Sequence, residues 1–117
     1  HNHYLARCAN LADIFSGAKE SNTRYDATQS SHHCFVCGDL NFRLDMDSDD
    51  HAASHYIVRQ LIDAKKWEML AEYDELGKAL ENADCMIGFR TLRCNFPPTF
   101  KVTKGEKEFV YNPKRIP

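Results

Sequence analysis

Cys34-Phe35-Val36-Cys37-Gly38-Asp39-Leu40-Asn41-Phe42-Arg43 is the stretch on which the reading of this chain turns. It opens with a short continuous apolar run, the pattern of a strand buried on both faces in the core of an α/β sheet. Gly38 permits a tight turn at its end, and a carboxylate and an amide follow two residues apart. Side chains at i and i+2 share a face in extended structure, so Asp39 and Asn41 are expected to project together. Open α/β sheets place their ligands at that end of a strand. A carboxylate beside a neutral amide suits hydrolysis of a phosphate ester. The carboxylate orients and deprotonates a water, and the amide donates to a phosphoryl oxygen without repelling it. Gly-Asp-x-Asn alone does not decide the matter, because a strand running into an Asp/Asn turn is also a common structural device.

Outward from this stretch, helical patterns dominate. Tyr4, Leu5, Cys8, Leu11, Ala12 and Phe15 recur at helical spacing, with Gly17 as a stop. Residues 18–31 are polar and read as a surface loop. Ile57, Val58, Leu61 and Ile62 mark a second helix, with Asp49, Asp50 or Ser54 available to cap it. Met69, Leu70, Tyr73, Leu76 and Leu80 mark a third, interrupted near Asp74. Beyond Ile87 the chain reads as irregular and then extended: Pro97-Pro98 forbid helix, and Phe100-Lys101-Val102 alternates like a strand.

The chain of 117 residues is one domain at most, with 43% hydrophobic and 27% charged residues, which excludes a disordered or collagen-like class. No run approaches the ~20 apolar residues of a membrane span, and His1-Asn2-His3 does not open a signal peptide. The net charge of -2 is unevenly spread: residues 1–38 balance, residues 39–85 sum to -7 and residues 86–117 to +5. A basic final third on a weakly acidic chain points to an anionic ligand met there.

Five scattered cysteines argue for free thiols rather than a disulfide framework. Cys34 and Cys37 form a C-x-x-C beside His32 and His33. A structural zinc site needs four ligands, and no close second pair exists, since Cys85 and Cys94 stand far apart. The two are read as packed core thiols. Asp45, Asp47 and Asp49 imitate the start of a calcium loop, but Asp50 stands where its glycine belongs and Tyr56 where its glutamate belongs. This cluster is expected to be a solvated loop capping the next helix. His51 and His55 have i, i+4 spacing without the glutamate of a zinc-protease helix. No metal ligand is assigned within the chain.

Phe35-Val-Cys-Gly-Asp-Leu-Asn-Phe-Arg43 resembles the F-W-x-G-D-x-N-x-R signature of inositol polyphosphate 5-phosphatases, a branch of the exonuclease–endonuclease–phosphatase superfamily. Leu70-Ala-Glu-Tyr-Asp-Glu-Leu76 looks like the family's L-x-E-x-D-Q-L helix, with Glu75 in place of Gln. Ile87-Gly-Phe89 and Phe96-Pro-Pro-Thr-Phe-Lys101 look like its G-F … F-x-P-T-Y-K segment. Lys114-Arg-Ile-Pro117 matches the residues that precede its W-C-D-R signature. The first helix, through Arg7 to Asp13-Ile14, is similar to the segment before the first signature. The likeness runs through nearly all of the chain, with its blocks in order.

The resemblance implies a fold and a set of roles. The fold is α/β: part of a four-layer sandwich of two mixed sheets flanked by helices, incomplete in residues 1–117, which would form the middle-to-late part of the catalytic domain. The activity is removal of the 5-phosphate from phosphoinositides or soluble inositol polyphosphates. Asp39 matches the general base and Asn41 the amide that binds the scissile phosphate. Lys101 and Arg115 match cations that meet the neighbouring 4-phosphate, and Lys114 adds field beside them. A magnesium ion is expected, held mainly by a glutamate outside this chain, and the chain alone is expected to be inactive. Phe100 replaces the usual Tyr and Pro113 a frequent Lys, and both changes weaken 4-phosphate recognition. Arg43 is expected to support the site through a partner such as Asp74 rather than to touch substrate. The expected setting is cytoplasmic, peripheral at membranes, with the rest of the catalytic domain as partner and no nucleic acid. A nuclease or other phosphodiesterase of the superfamily shares Gly-Asp-x-Asn without the Phe-Pro-Pro-Thr-Phe-Lys block, and a degenerate binding module is the third class.

Overall fold

The computed structural model describes residues 3–19, 24–46, 50–105, 110–112 and 115. Five helices follow one another: α1 (Tyr4–Gly17), α2 (Ala27–Ser30), α3 (His51–Asp63), α4 (Trp67–Ala71) and α5 (Glu75–Glu81). Among the described residues there is no strand. Extended pairing is limited to two isolated antiparallel bridges, Leu44 with Asp74 and Val102 with Tyr111. This corrects the expected α/β sandwich. Residues 34–37 do not form a buried strand: Phe35 is 91% exposed, and no ladder runs along them. A strand buried on both faces needs neighbours at both edges and layers above and below, and the described residues supply neither. Cys34 is accordingly half-buried and Cys37 exposed, so the C-x-x-C pair is not a packed core pair. Among the described residues no helix is long and apolar enough to cross a membrane.

The described structure divides into two compact units, residues 1–42 with 79–89 and residues 43–78 with 90–117. In the first, the helical stripe read from the sequence forms in part. Cys8 and Leu11 of α1 are buried against Ala79 and Cys85, with Tyr4, Phe15, Leu40, Phe42 and Met86 packed around them. Leu5 and Ala12, read as members of the stripe, stay exposed, as does Ile14. Residues 24–31 hold more order than a loop. The Asp26 carboxylate accepts the Thr28 and Gln29 amides while the Gln29 side chain accepts the Asp26 amide, a capping box that starts α2.

In the second unit α3 starts at Asp50, whose carboxylate accepts the amides of Ala52 and Ala53 at 2.9 and 3.1 Å. Of the acidic cluster Asp45, Asp47 and Asp49, the last two lie outside the described residues. Val58 and Ile62 face inward with Leu70 and Tyr111, and Leu44, Met46, Leu61, Trp67 and Val102 pack against them. Val58 is only 1% exposed, and full burial of such a side chain stabilises by roughly 1.5–3 kcal/mol. The turn into α4 is a Schellman motif built without glycine. The Lys66 amide reaches the Leu61 carbonyl and the Lys65 amide reaches that of Ile62, with Lys65 at φ 53°. The expected interruption near Asp74 is real: the Asp74 carboxylate accepts the Leu76 and Gly77 amides and thereby caps α5.

Candidate functional site

The turn at residues 38–42 belongs to the first unit. Gly38 sits at φ 143°, a conformation that side chains rarely adopt. Asn41 follows at φ 62°, the left-handed region that Asn tolerates best after Gly. The Asp39 carboxylate oxygen Oδ1 accepts the Asn41 amide at 3.0 Å, closing an Asx turn. The i, i+2 geometry of a strand is therefore not what joins these residues. The anchors between and after them do that. Leu40 and Phe42 are half-buried on the α1 core, while Asp39 and Asn41 are exposed. The Phe42 ring is held by the edge of Tyr4, centroids 6.1 Å apart, and by the Arg7 guanidinium 5.4 Å from its centroid. An exposed carboxylate and an exposed carboxamide on a backbone pinned at both neighbours form an acceptor–donor pair suited to a water and a phosphoryl oxygen.

Beneath this turn lies a polar cluster that the sequence reading did not single out. The Tyr4 hydroxyl donates to the Asp84 carboxylate at 2.6 Å. Burial first, and the Asp84 bond next, raise the Tyr4 phenol well above its ordinary range. Burial, reinforced by the neighbouring Cys8 thiol, pushes the Cys85 thiol up to about 11. Cys8 and Cys85 are thus the packed core thiols of this chain.

The expected phosphate-binding cations lie in the second unit. Lys101 and Arg115 are exposed, and Lys114 lies outside the described residues. The Thr103 amide donates to the Val110 carbonyl at 2.7 Å and the Asn112 amide to that of Lys101 at 2.9 Å, so 101–103 pairs with 110–112. The alternation read at Phe100–Val102 reflects this single pairing rather than a sheet strand. The structure links the main chains of Lys101 and Arg115, because the Asn112 carbonyl accepts the Arg115 amide at 3.2 Å.

Arg43, in the second unit, contacts Phe100 and Glu75. Its guanidinium lies 5.6 Å from the centroid of Phe100, the residue standing in the position of the usual tyrosine. Its amide donates to the buried Glu75 carboxylate at 2.9 Å, and its carbonyl accepts the Glu75 amide at 2.9 Å. Asp74, the partner named from sequence, spends its carboxylate on the α5 cap. The signal for Glu75 was its place in the L-x-E-x-D-Q-L pattern, where an amide is usual.

Family chemistry of this kind is metal-dependent. Among the described residues, however, no three His, Cys, Asp or Glu side chains gather to hold an ion. Near the Asx turn the donor set is the single carboxylate of Asp39. The described residues do not assemble a metal site by themselves.

Residues 1–117 match Endonuclease/Exonuclease/phosphatase family 2. The chain is 29% identical over 108 residues to phosphatidylinositol 3,4,5-trisphosphate 5-phosphatase 2B of Danio rerio, covering 89% of this chain and 8% of that one. It is 34% identical over 84 residues to type IV inositol polyphosphate 5-phosphatase 3 of Arabidopsis thaliana, covering 68% and 12%. Phosphatidylinositol 3,4,5-trisphosphate 5-phosphatase 2 of Homo sapiens is 30% identical over 84 residues, covering 72% and 6%. The chain therefore spans about a tenth of the length of the relatives it matches. No solved structure matches it. With its full length matched and its relatives inositol phosphate and inositol lipid 5-phosphatases, the chain belongs to endonuclease/exonuclease/phosphatase family 2.

Proposed function

We propose that this chain supplies the water-activating and substrate-orienting part of a 5-phosphatase acting on phosphoinositides or soluble inositol polyphosphates. The observation that carries the proposal is the Asx turn. Asp39 and Asn41 stand exposed and joined on an anchored backbone, within a chain whose relatives are named as such phosphatases. Asp39 takes the proton of the attacking water as it approaches the phosphorus in line. Asn41 donates to a non-bridging oxygen as charge moves onto it. Lys101 and Arg115, with Lys114 adding field, meet the adjacent 4-phosphate. The metal of this chemistry is magnesium, held outside the residues described here. The setting is the cytoplasm, with the enzyme peripheral at the membrane when its substrate is a lipid.

The test is made in the intact protein that carries these residues. Asp39→Asn lowers kcat for phosphate release from a 4,5-bisphosphorylated inositide by about 100-fold or more, the scale of a general base, with KM far less affected. The assay is run with and without magnesium. Near-normal kcat in Asp39→Asn removes Asp39 from the chemistry. Cleavage of a nucleic-acid phosphodiester in place of the inositide assigns the site to a different branch of the superfamily.

A further inference from the structure

The main chain of Asn112 is a junction between the two cations proposed for the 4-phosphate. Its amide donates to the Lys101 carbonyl at 2.9 Å, and its carbonyl accepts the Arg115 amide at 3.2 Å. A third group arrives at the same carbonyl oxygen: Nε2 of His55, on α3, stands 3.1 Å away. A carbonyl only accepts, so Nε2 carries the proton and donates. One turn further along α3, the Arg59 guanidinium lies 5.2 Å from the centroid of the buried Tyr111 ring. The Tyr111 hydroxyl in turn donates to the Pro98 carbonyl at 2.6 Å. Helix α3 therefore grips the segment 110–112 at two successive residues, by a hydrogen bond at Asn112 and by a face-on cation at Tyr111. Because 110–112 is paired with 101–103, that grip sets where the Lys101 and Arg115 side chains begin.

We infer that His55 is a positioning residue for anion recognition, holding through the Asn112 carbonyl the backbone from which Lys101 and Arg115 reach a phosphate. The inference rests on the assignment of those two cations to the 4-phosphate. Lysine and arginine side chains carry several freely rotating bonds, so two of them converge on one small anion only if their main chains are fixed relative to each other. Asn112 fixes them relative to each other, and His55 fixes Asn112 to a helix anchored in the core by Val58 and Ile62. The junction runs through the peptide groups of Asn112.

The experiment compares His55→Leu, His55→Gln and Lys101→Ala in the intact protein, on inositol substrates with and without a 4-phosphate. His55→Leu removes the donor and keeps an apolar side chain. His55→Gln places an N–H donor near the position of Nε2. In His55→Leu, KM for the 4-phosphorylated substrate rises about 5- to 10-fold, the scale of one hydrogen bond, with a smaller change in kcat. The loss on the substrate lacking that phosphate is markedly smaller, and His55→Gln recovers most of the difference. Added to Lys101→Ala, His55→Leu has less effect than it has alone. Equal losses on both substrates, or no recovery in His55→Gln, overturn the positioning role and leave His55 a packing residue. If Lys101→Ala discriminates between the substrates and His55→Leu does not, this inference alone fails. If neither discriminates, the assignment of the cations fails with it. Thermal denaturation of each variant identifies any that is unfolded, and the glutamine variant then carries the comparison.

Discussion

Leu40 and Phe42 pack on the α1 core, and this leaves Asp39 and Asn41 in solvent on either side of Leu40. The alternation expected of a strand is thus preserved in a turn, although Asn41 sits at φ 62°. The same economy operates at Phe100. The ring that replaces a tyrosine keeps its contact with the Arg43 guanidinium, so only a hydroxyl is missing. Lys101→Ala is expected to lower kcat/KM on a 4-phosphorylated inositide by about 1.5–3 kcal/mol, the worth of a hydrogen bond to a charged group, and to cost much less when that phosphate is absent. Phe100→Tyr moves the other way, because the ring stays stacked on Arg43 and a donor is restored. Steady-state kinetics on the paired substrates measure both, and equal losses on the two would reduce Lys101 to a general field.

Three helices start on a short acidic side chain. Asp26, Asp50 and Asp74 accept the first amides of α2, α3 and α5. Asp74 has the most demanding position, since Leu44 bridges to it and Glu75, next in the chain, holds the Arg43 amide. Asp74→Ala is expected to destabilise by about 1 kcal/mol, the usual cost of losing such a cap, and to speed hydrogen exchange at the Leu76 and Gly77 amides. Unchanged exchange at those amides would show that tertiary packing alone starts α5. Around α1 the titrating groups add a pH dependence. Cys85 has an ordinary value of 9.0 and is pushed up to about 11, and Tyr4 is raised as well. Folding favours the neutral, protonated form of each. The contribution of Cys85 is therefore complete below pH 9 and is lost as pH rises through about 11, and that of Tyr4 is lost at higher pH still. Circular dichroism along an alkaline titration is expected to show the helical signal falling in that interval, later in Cys85→Ala. Thiol alkylation at neutral pH reaches the exposed Cys37 and Cys94 before the buried Cys85.

At the scale of the whole molecule, the apolar surface left outside the two cores is large. Phe35, Ile87 and Leu92 are between 80% and 92% exposed. Such large apolar side chains are left uncovered in each unit, and the chain spans about a tenth of the length of its relatives. Residues 1–117 expressed alone are expected to release no phosphate and to aggregate or remain unfolded. Circular dichroism and a phosphate-release assay check both halves. A cooperatively melting, magnesium-dependent phosphatase made of these residues alone would refute it.

Periodicity and caps are local, which is why α1, α3 and the broken α4–α5 pair were legible in the residues themselves. The chemistry proposed for Asp39 and Asn41 comes from the residues for a related reason: it depends on which functional groups stand two apart beside a glycine. The strand at 34–37 was not decided there. An apolar run states that a segment is to be covered, but a strand exists only when other segments pair with both its edges, and sequence periodicity carries no record of those partners. The linkage of Lys101, Arg115 and His55 escaped the sequence for a different cause. It runs through the peptide groups of Asn112, and every residue except proline offers the same amide and carbonyl, so nothing in the residue type marks the junction. Side-chain identity determined what this chain has to work with, and only the tertiary structure decided which of those groups are held to a common backbone.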